Sequence, residues 1–475
     1  MEIKKMTMEG NDFLGEETSH YVDRYERMLR SRGREFFEPE AIELIADHYI
    51  SHDKLKKALE VVLFGLDMYP NHIGLWIKKA EVHIYAEKFE KALVELEKAE
   101  LYEPFNPDIL LLKGEVHVAL NRMNEAELCF EKALQHGDDR NDLLFEIGFI
   151  YQDYDYFAQA AYWFEMLIQE SKLDQAYYEA AGCYDIIGNY QKAADLLNEL
   201  INRDPYNATA WYNLGLMQSK LNRPQEAIES FDLCLAIDED YSIAHFNKAN
   251  CLVELDKFEE ALGVYAEVVK MEGGDSITFC NMGGCYERLG NNLAAREHYK
   301  KASKINPNLA EAWFGIGLSY DRENYPKEAL QYFRRAVLLE PEHAEYLLVL
   351  AEIEYRLGDT READILYQRL CDLDPGMMEA WLDRSYVAYQ EKDLLLAIQY
   401  LNEALSYDGL CHQYYYRLCA YHYENGELQT ALQCLTAALK LNPADVFLLF
   451  NFKPDLAQDP AIRYTIESFG DSSQI

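Results

Sequence analysis

Residues 313–341 read WFGIGLSYDRENYPKEALQYFRRAVLLEP, and the rest of the chain repeats this stretch with variations. Four of its residues follow the spacing i, i+3, i+4, i+7 of one amphipathic helix, namely Trp313, Ile316, Gly317 and Tyr320. A second apolar stripe begins at Ala329. The stretch therefore predicts two amphipathic helices joined by a short turn.

An alanine recurs every 34 residues, with one interval of 33 between Ala160 and Ala193. The ladder comprises Ala58, Ala92, Ala126, Ala160, Ala193, Ala227, Ala261, Ala295, Ala329, Ala363, Ala397 and Ala431. The residue four positions after each alanine is large and apolar, from Val62 to Leu435. A fixed period of this length predicts copies of one helical hairpin that bury their apolar faces by stacking on each other.

A third column opens the first helix of each copy, and we call its members the anchors. They are Ile42, Trp76, Leu110, Leu144, Tyr177, Trp211, His245, Phe279, Trp313, Leu347, Trp381 and Tyr415. Together with closing prolines such as Pro341, the columns closely resemble the tetratricopeptide repeat family over about residues 39–445, in the form of a long bacterial-type solenoid. The resemblance implies an all-α fold, a right-handed superhelical solenoid of about twelve helical hairpins with capping helices.

The repeat divides the chain into three predicted segments. Residues 1–38 are a flexible N-terminus, to about residue 17, followed by a helix from about Ser19 to Phe37. Residues 39–445 hold twelve repeats, and residues 446–475 hold two C-terminal capping helices, one over VFLLFNF and one over Pro460 to Phe469. Capping elements keep the open ends of a solenoid soluble.

Small residues at fixed positions predict close contacts and turns. Glycine inside the first helix costs about 1 kcal/mol relative to alanine, so its presence indicates close approach of another element at Gly148, Gly215, Gly283 and Gly317. Residues that tolerate left-handed backbone end the first helix at Asn121, Gly188, Asn222, Gly290, Asn324, Gly358 and Gly426.

The formal net charge of -38 is spread through the repeats. Such a surface repels phosphate backbones, which excludes nucleic acid as a partner and favours a protein or peptide with a basic segment. The ten cysteines form no CxxC pair and predict buried, reduced thiols. Because no signal-peptide core and no run of 18 apolar residues is present, we predict a cytoplasmic location without direct membrane insertion.

Motifs of catalysis are missing from the sequence: it has no GxxxxGK[ST], no HExxH and no GxSxG. The repeats and caps use nearly all of the chain, which leaves no catalytic domain. We therefore predict a protein that is not an enzyme and holds neither a cofactor nor a metal ion.

A binding function must then lie on the helix faces that are not used for packing between helices. At 100° per residue, the side opposite the apolar stripe of each first helix carries the residues two and five after the anchor, with the residue one after at its flank. In proteins that this chain resembles, that side lines the concave groove of a superhelix and holds an extended peptide or a partner helix.

Three patterns appear there. The residues two after the anchor are Asn213, Asn247 and Asn281, and their side chains could hydrogen-bond a peptide backbone. They resemble the asparagine ladder of O-linked N-acetylglucosamine transferases. The alternative is that they have no such role, because asparagine is common at that place in repeats generally. The residues one after the anchor form an aromatic row that Cys280 interrupts, namely Phe145, Tyr178, Tyr212, Phe246 and Phe314. These rings either form apolar pockets for a ligand or pack against the neighbouring repeat. Nine after the anchor stand Arg288, Arg322 and Arg356, which either meet an acidic ligand or stabilise helix ends.

These residues predict a non-catalytic protein–protein interaction scaffold that binds its partner in the groove. The alternative is a regulatory or assembly subunit that recruits an enzyme through its convex face or its end caps. The sequence leaves the partner and the oligomeric state open.

Overall fold

The computed structural model describes residues 12–31 and 33–472, and every regular element in these residues is a helix. The predicted all-α fold of adjacent helical hairpins is confirmed. Helix α1 (Asp12–Ser31) comes first. The twelve hairpins, repeats 1 to 12, are α2 (Pro39–Ser51) and α3 (Leu55–Met68), α4 (Ile73–Tyr85) and α5 (Phe89–Glu100), α6 (Pro107–Ala119) and α7 (Met123–His136), α8 (Arg140–Asp153) and α9 (Phe157–Ser171), α10 (Asp174–Ile186) and α11 (Tyr190–Arg203), α12 (Ala208–Lys220) and α13 (Pro224–Ile237), α14 (Ser242–Glu254) and α15 (Phe258–Glu272), α16 (Ser276–Arg288) and α17 (Asn292–Ile305), α18 (Ala310–Arg322) and α19 (Pro326–Leu339), α20 (Ala344–Leu357) and α21 (Thr360–Leu373), α22 (Met378–Gln390) and α23 (Leu394–Tyr407), and α24 (His412–Glu424) and α25 (Leu428–Leu441).

Two compact units divide the chain, residues 1–239 and residues 240–475. The described part of the first unit contains α1 and repeats 1 to 6, and that of the second contains repeats 7 to 12 and the C-terminal helices. Within each unit the two helices of a repeat pack on each other, and the second helix packs on the first helix of the next repeat. Every alanine of the ladder is fully buried at these contacts. The ladder therefore marks the line along which the helices of each unit touch.

The close approach predicted at four glycines of the first helices, Gly148, Gly215, Gly283 and Gly317, is confirmed, and the contacting element is an aromatic ring in each case. A Cβ atom added to Gly148 would lie 2.4 Å from Cε1 of Phe164, and one added to Gly317 would lie 2.6 Å from Cε1 of Phe333. Each ring belongs to the second helix of the same repeat. The missing side chain makes room for the ring, so the glycine and the aromatic residue form one packing unit.

A left-handed residue ends the first helix in all twelve repeats, at Asp53, Glu87, Asn121, Asp155, Gly188, Asn222, Asp256, Gly290, Asn324, Gly358, Lys392 and Gly426. The sequence predicted seven of them. The next residue in each repeat donates its N–H to the carbonyl five residues earlier, for example Lys88 to His83 at 2.8 Å. This bond closes a Schellman turn. The turn holds even Glu87 and Lys392 at positive φ, although neither residue type favours that conformation.

The N-terminal helix differs from its prediction. It was expected from about Ser19 to Phe37, but α1 begins at Asp12 and ends at Ser31. The backbone is extended before Pro39, because proline disfavours helical conformation in the residue that precedes it. Residues 12–17, predicted to be flexible, are helical, and residues 1–11 lie outside the described part.

The C-terminal segment contains helix α26 (Phe447–Phe452) and helix α27 (Pro460–Ser472), with short 3-10 turns at Pro443–Val446 and Pro454–Gln458. Helix α26 packs on the first helix of repeat 12, and Leu449 is buried there. Both helices lie in the segments where capping helices were predicted. They cover the apolar core at the end of repeat 12.

The cysteines are all free thiols. Nine of the ten are buried, and Cys434 is partly exposed. Burial raises the pKa of the Cys183 thiol to about 11, and a thiol with so high a pKa is a poor nucleophile at neutral pH. The buried thiols therefore behave as small apolar side chains.

Candidate functional site

The first-helix face is the side of the first helices that carries the residues two before and one, two and five after each anchor. The three predicted asparagines lie on it, Asn213 in the first unit and Asn247 and Asn281 in the second. All three are partly buried. Asn213 makes no side-chain hydrogen bond with the described residues, whereas Nδ2 of Asn281 donates to Oδ1 of Asn250 (3.1 Å) and to Oη of Tyr265 (3.2 Å). Asn281 is therefore part of a polar network inside its unit.

The aromatic row packs mainly on rings of the second helices. The ring centroid of Tyr212 lies 6.0 Å from that of Phe231, and the centroid of Phe246 lies 5.9 Å from that of Tyr265. Phe314 is buried, with its centroid 4.4 Å from that of Tyr346 in the next repeat. Packing thus accounts for Phe314, whereas four members of the row are half-buried and keep part of the ring in solvent, namely Phe145, Tyr178, Tyr212 and Phe246.

The three arginines are paired within the fold. Each guanidinium contacts a carboxylate that lies about one repeat earlier in the chain: Arg288 with Asp256 at 3.3 Å, Arg322 with Glu287 at 2.9 Å and Arg356 with Asp321 at 2.9 Å. These pairs join successive repeats, and in each the carboxylate neutralises the charge of the guanidinium. They provide an explanation for the arginine column that needs no acidic ligand.

A cavity of about 420 Å³ opens where the aromatic row is interrupted, and we call it the Cys280 cavity. Its lining comes from repeats 7, 8 and 9 of the second unit. Two small residues of α16 create it. Cys280, 2% exposed, stands where neighbouring repeats have phenylalanine, and a Cβ atom added to Gly284 would meet only Oη of Tyr299, at 3.7 Å.

The sequence shows the interruption of the aromatic row at Cys280, but a cavity was not predicted from it. The signal was present as two small residues on the same face of one helix, four positions apart.

Buried polar groups form the floor of the Cys280 cavity. Oη of Tyr265 donates to Oδ1 of Asn250 (2.5 Å), and Oη of Tyr299 donates to Oε2 of Glu287 (2.9 Å). Burial raises the pKa of both phenols, and Glu287 raises that of Tyr299 further. Burial, and then Glu311, raises the pKa of the Cys280 thiol. These three groups therefore keep their protons at neutral pH, and the cavity offers no thiolate for nucleophilic chemistry.

Exposed carboxylates flank this part of the face. Glu311, Glu345 and Glu379 each stand two residues before the anchor in repeats 9 to 11, and all three are exposed. Asp383 lies half-buried in repeat 11, where burial raises the pKa of its carboxyl and the Arg417 guanidinium opposes that rise. Other carboxylates of the fold already pair with Arg288, Arg322 and Arg356, so these arginines do not neutralise Glu311, Glu345 and Glu379. The second unit therefore presents net negative charge on the first-helix face of repeats 9 to 11.

Helix α26, from the C-terminal segment of the same chain, covers the end of the first-helix face in repeats 11 and 12. The ring centroid of Phe452 lies 5.4 Å from that of Tyr389 and 5.6 Å from that of Tyr421, and the guanidinium carbon of Arg417 lies 3.9 Å above the Phe452 ring. The face thus accepts an aromatic side chain from a helix that arrives from outside the repeats.

Neither a metal site nor a membrane span emerges from the part of the chain that the structure describes. In residues 12–31 and 33–472 no group of three or more His, Cys, Asp or Glu side chains is arranged to hold a metal ion. No described helix combines the length and the apolar character that crossing a membrane requires.

Family comparisons agree with the repeated hairpins. Models described as "Tetratricopeptide repeat" match residues 77–141, 208–241, 320–378 and 348–410, and a model described as "TPR repeat" matches residues 285–324. The chain is a tetratricopeptide repeat protein. The matches fall in both units, and each includes part of the alanine ladder or the first helix next to it.

The curated relatives of this tetratricopeptide repeat protein match over a short segment. DnaJ homolog subfamily C member 7 of Mus musculus is 33% identical over 76 residues, which are 15% of this chain and 15% of the relative. The protein of the same name from Homo sapiens is 32% identical over 76 residues, with the same shares. The chain thus matches about 15% of the length of these relatives.

Solved structures of similar fold include the crystal structure of MamA, at 23% identity and a TM-score of 0.33, covering 35% of this chain and 97% of that one. A second is YrrB, described as a TPR protein with an unusual peptide-binding site, at 21% identity and a TM-score of 0.34, covering 40% and 97%. A third is the APC/C hetero-tetramer Cut9-Hcn1, at 15% identity and a TM-score of 0.38, covering 83% and 91%. Each is a likeness of fold alone.

Proposed function

We propose that this protein is a non-catalytic scaffold that holds a basic segment of another protein, extended or helical, against the first-helix face of its second unit. The observation that carries the proposal is the unpaired negative charge of Glu311, Glu345 and Glu379 in repeats 9 to 11, with Glu311 in the lining of the Cys280 cavity. A preformed face of this kind places most of the ordering cost on the ligand. Complementary charge would speed the encounter and fix the orientation of the partner.

In the second unit, the half-buried Phe246 and the asparagines Asn247 and Asn281 are the proposed contacts for the rest of the ligand. Phe145, Tyr178, Tyr212 and Asn213 are the corresponding proposed contacts on the first-helix face of the first unit, taken by itself. Rings that are partly packed and partly exposed bury further apolar area on binding at little cost in side-chain entropy. The three arginines enter the proposal as structural pairs that join successive repeats.

Charge reversal tests the proposal. We expect a variant with Glu311→Lys, Glu345→Lys and Glu379→Lys to lose about tenfold or more of the partner that wild type captures, because the basic segment then meets like charge. The matched control carries Glu328→Lys, Asp372→Lys and Glu403→Lys, three exposed carboxylates on second helices of the same repeats. Affinity purification from the native host with quantitative mass spectrometry measures both. Equal capture by the two variants would contradict the proposal.

A second candidate is an assembly subunit that recruits an enzyme through a surface other than the first-helix face. The turn between repeats 2 and 3 favours it, because Leu101 is 82% exposed and Phe105 is 62% exposed on one short segment. Exposed apolar residues that cluster in this way are typical of interaction surfaces. In the experiment above, a partner that both variants keep but that a Leu101→Ser, Phe105→Ser variant loses would assign function to this turn.

A further inference from the structure

Three residues at the floor of the Cys280 cavity, Tyr265, Tyr299 and Asn281, already use their hydrogen-bond donors within the fold. The two phenols donate to Asn250 and Glu287, and the Asn281 amide donates to Asn250 and Tyr265. Acceptors remain free: Oδ1 of Asn281 and Oη of Tyr299 accept no hydrogen bond from the described residues. The cavity therefore presents acceptors to whatever enters it.

The charged groups that line the Cys280 cavity also favour a ligand that donates hydrogen bonds. Glu287, Glu311 and Asp256 contribute carboxylates, and Arg288 contributes the one guanidinium of the lining. Arg288 contacts Asp256 at 3.3 Å and lies 5.4 Å from the centroid of the Phe258 ring. Glu287 is shared between Tyr299 and Arg322, whereas Glu311 has no cationic partner among the described residues. The cavity thus lacks one positive charge.

An apolar or acidic side chain does not suit this lining. An apolar group would cover the free acceptors of Asn281 and Tyr299 without giving them a donor, which costs about 1–3 kcal/mol for each buried group. A carboxylate would face Glu311 and Glu287 at short range. An ammonium or guanidinium group supplies both the donors and the charge that the cavity lacks.

We propose that the Cys280 cavity receives the side chain of a lysine or arginine from the bound segment. The head group lies between Glu311 and the Asn281 amide oxygen, and the aliphatic stem packs in the gap that Cys280 and Gly284 leave in the aromatic row. The inference rests on the proposed function, and it names the side chain that fixes the position of the peptide on the repeats. The gap in the row is thus the specificity pocket of the face.

Peptide selection tests this inference on the full chain without knowledge of the natural partner. Random linear peptides displayed on phage are selected against wild type, and each enriched peptide is synthesised with a fluorescent label. Binding is measured by fluorescence anisotropy against wild type, Glu311→Gln and Gly284→Leu. The leucine fills the cavity from an open position, and Gly263→Leu is the matched control, because Gly263 is exposed on the second helix α15 of repeat 7 and has nothing within 4 Å of its added Cβ atom.

We expect the enriched peptides to share one lysine or arginine. Replacing that residue of the peptide by norleucine or citrulline weakens binding about tenfold or more, and so does Gly284→Leu in the protein. Glu311→Gln weakens binding of the peptide with lysine or arginine but not of the peptide with norleucine or citrulline. The Gly263→Leu control binds like wild type. Basic peptides that bind the first-helix face without a basic residue at one shared position, or whose shared basic residue is insensitive to Gly284→Leu, overturn the inference and leave the proposed function standing. If no peptide is enriched, both are overturned.

Discussion

Replacing Gly317 by leucine is expected to lower the free energy of unfolding by about 1–3 kcal/mol or more. The first added atom would lie 2.6 Å from Cε1 of Phe333, and that ring is fully buried against the ladder alanines, so it has no free space to move into. For a unit of this size, each kcal/mol corresponds to a drop of about 2–4 °C in the thermal midpoint. Circular dichroism at the helical minimum measures the midpoint.

Gly182→Leu provides the matched control. Gly182 also lies inside a first helix, but nothing stands within 4 Å of its added Cβ atom. Leucine there removes the helix cost of glycine, about 1 kcal/mol, so the midpoint stays or rises. Equal midpoints for wild type and Gly317→Leu would mean that the ring does not lie on the glycine as described.

The substitution Tyr25→Ala is expected to open the N-terminal end of the first unit. Tyr25 is 3% exposed, and its ring centroid lies 6.0 Å from that of Phe37 and 5.7 Å from that of Phe64. Truncating a buried aromatic side chain costs about 3 kcal/mol or more. Because end repeats open locally, the cost appears first in α1 and repeat 1. Hydrogen exchange of the amides of α2 should become about a hundredfold faster, at 1.4 kcal/mol per factor of ten.

Exchange in the distant repeats is the internal control for Tyr25→Ala, and His20→Ala, on the exposed side of α1, is the control variant. We expect unchanged amide exchange in the distant repeats of Tyr25→Ala and unchanged amide exchange of α2 in His20→Ala. Unchanged exchange in α2 would show that α1 is dispensable for repeat 1 and is not a cap. Faster exchange throughout the first unit would instead indicate that its repeats unfold together.

The hairpins could be predicted because their signals are local and repeated. Each repeat carries its own apolar stripes and its own stop residue, and twelve copies separate the common columns from accidental residues. Even Glu87 and Lys392, which are poor choices for a left-handed turn, adopt it because the Schellman hydrogen bonds form around them. The repeat thus specifies the turn more strongly than the single residue does.

The ends and the site were harder to predict because they depend on contacts outside one repeat. Helix α1 has no repeat to fix its bounds, and its end was misplaced by six residues, at Phe37 instead of Ser31. The carboxylates that pair with the arginines lie 32 to 35 residues away, beyond any local pattern. The Cys280 cavity needed the joint absence of two side chains, which becomes visible only when three repeats are assembled.

Predicted properties that depend on the cell stay predictions, namely the cytoplasmic location and the lack of catalytic activity. We propose that recognition on the first-helix face of the second unit depends on unpaired negative charge, on the half-buried ring of Phe246 and on the Cys280 cavity.

Hydrogen exchange with mass spectrometry, on the full chain with and without its purified partner, tests this assignment most directly. The account predicts protection in the first helices of repeats 8 to 10, with the largest change in the peptide that contains Cys280 and Gly284, and little change in the second helices of the same repeats. Protection confined to the second helices, or to the turn at Leu101 and Phe105, would contradict the account.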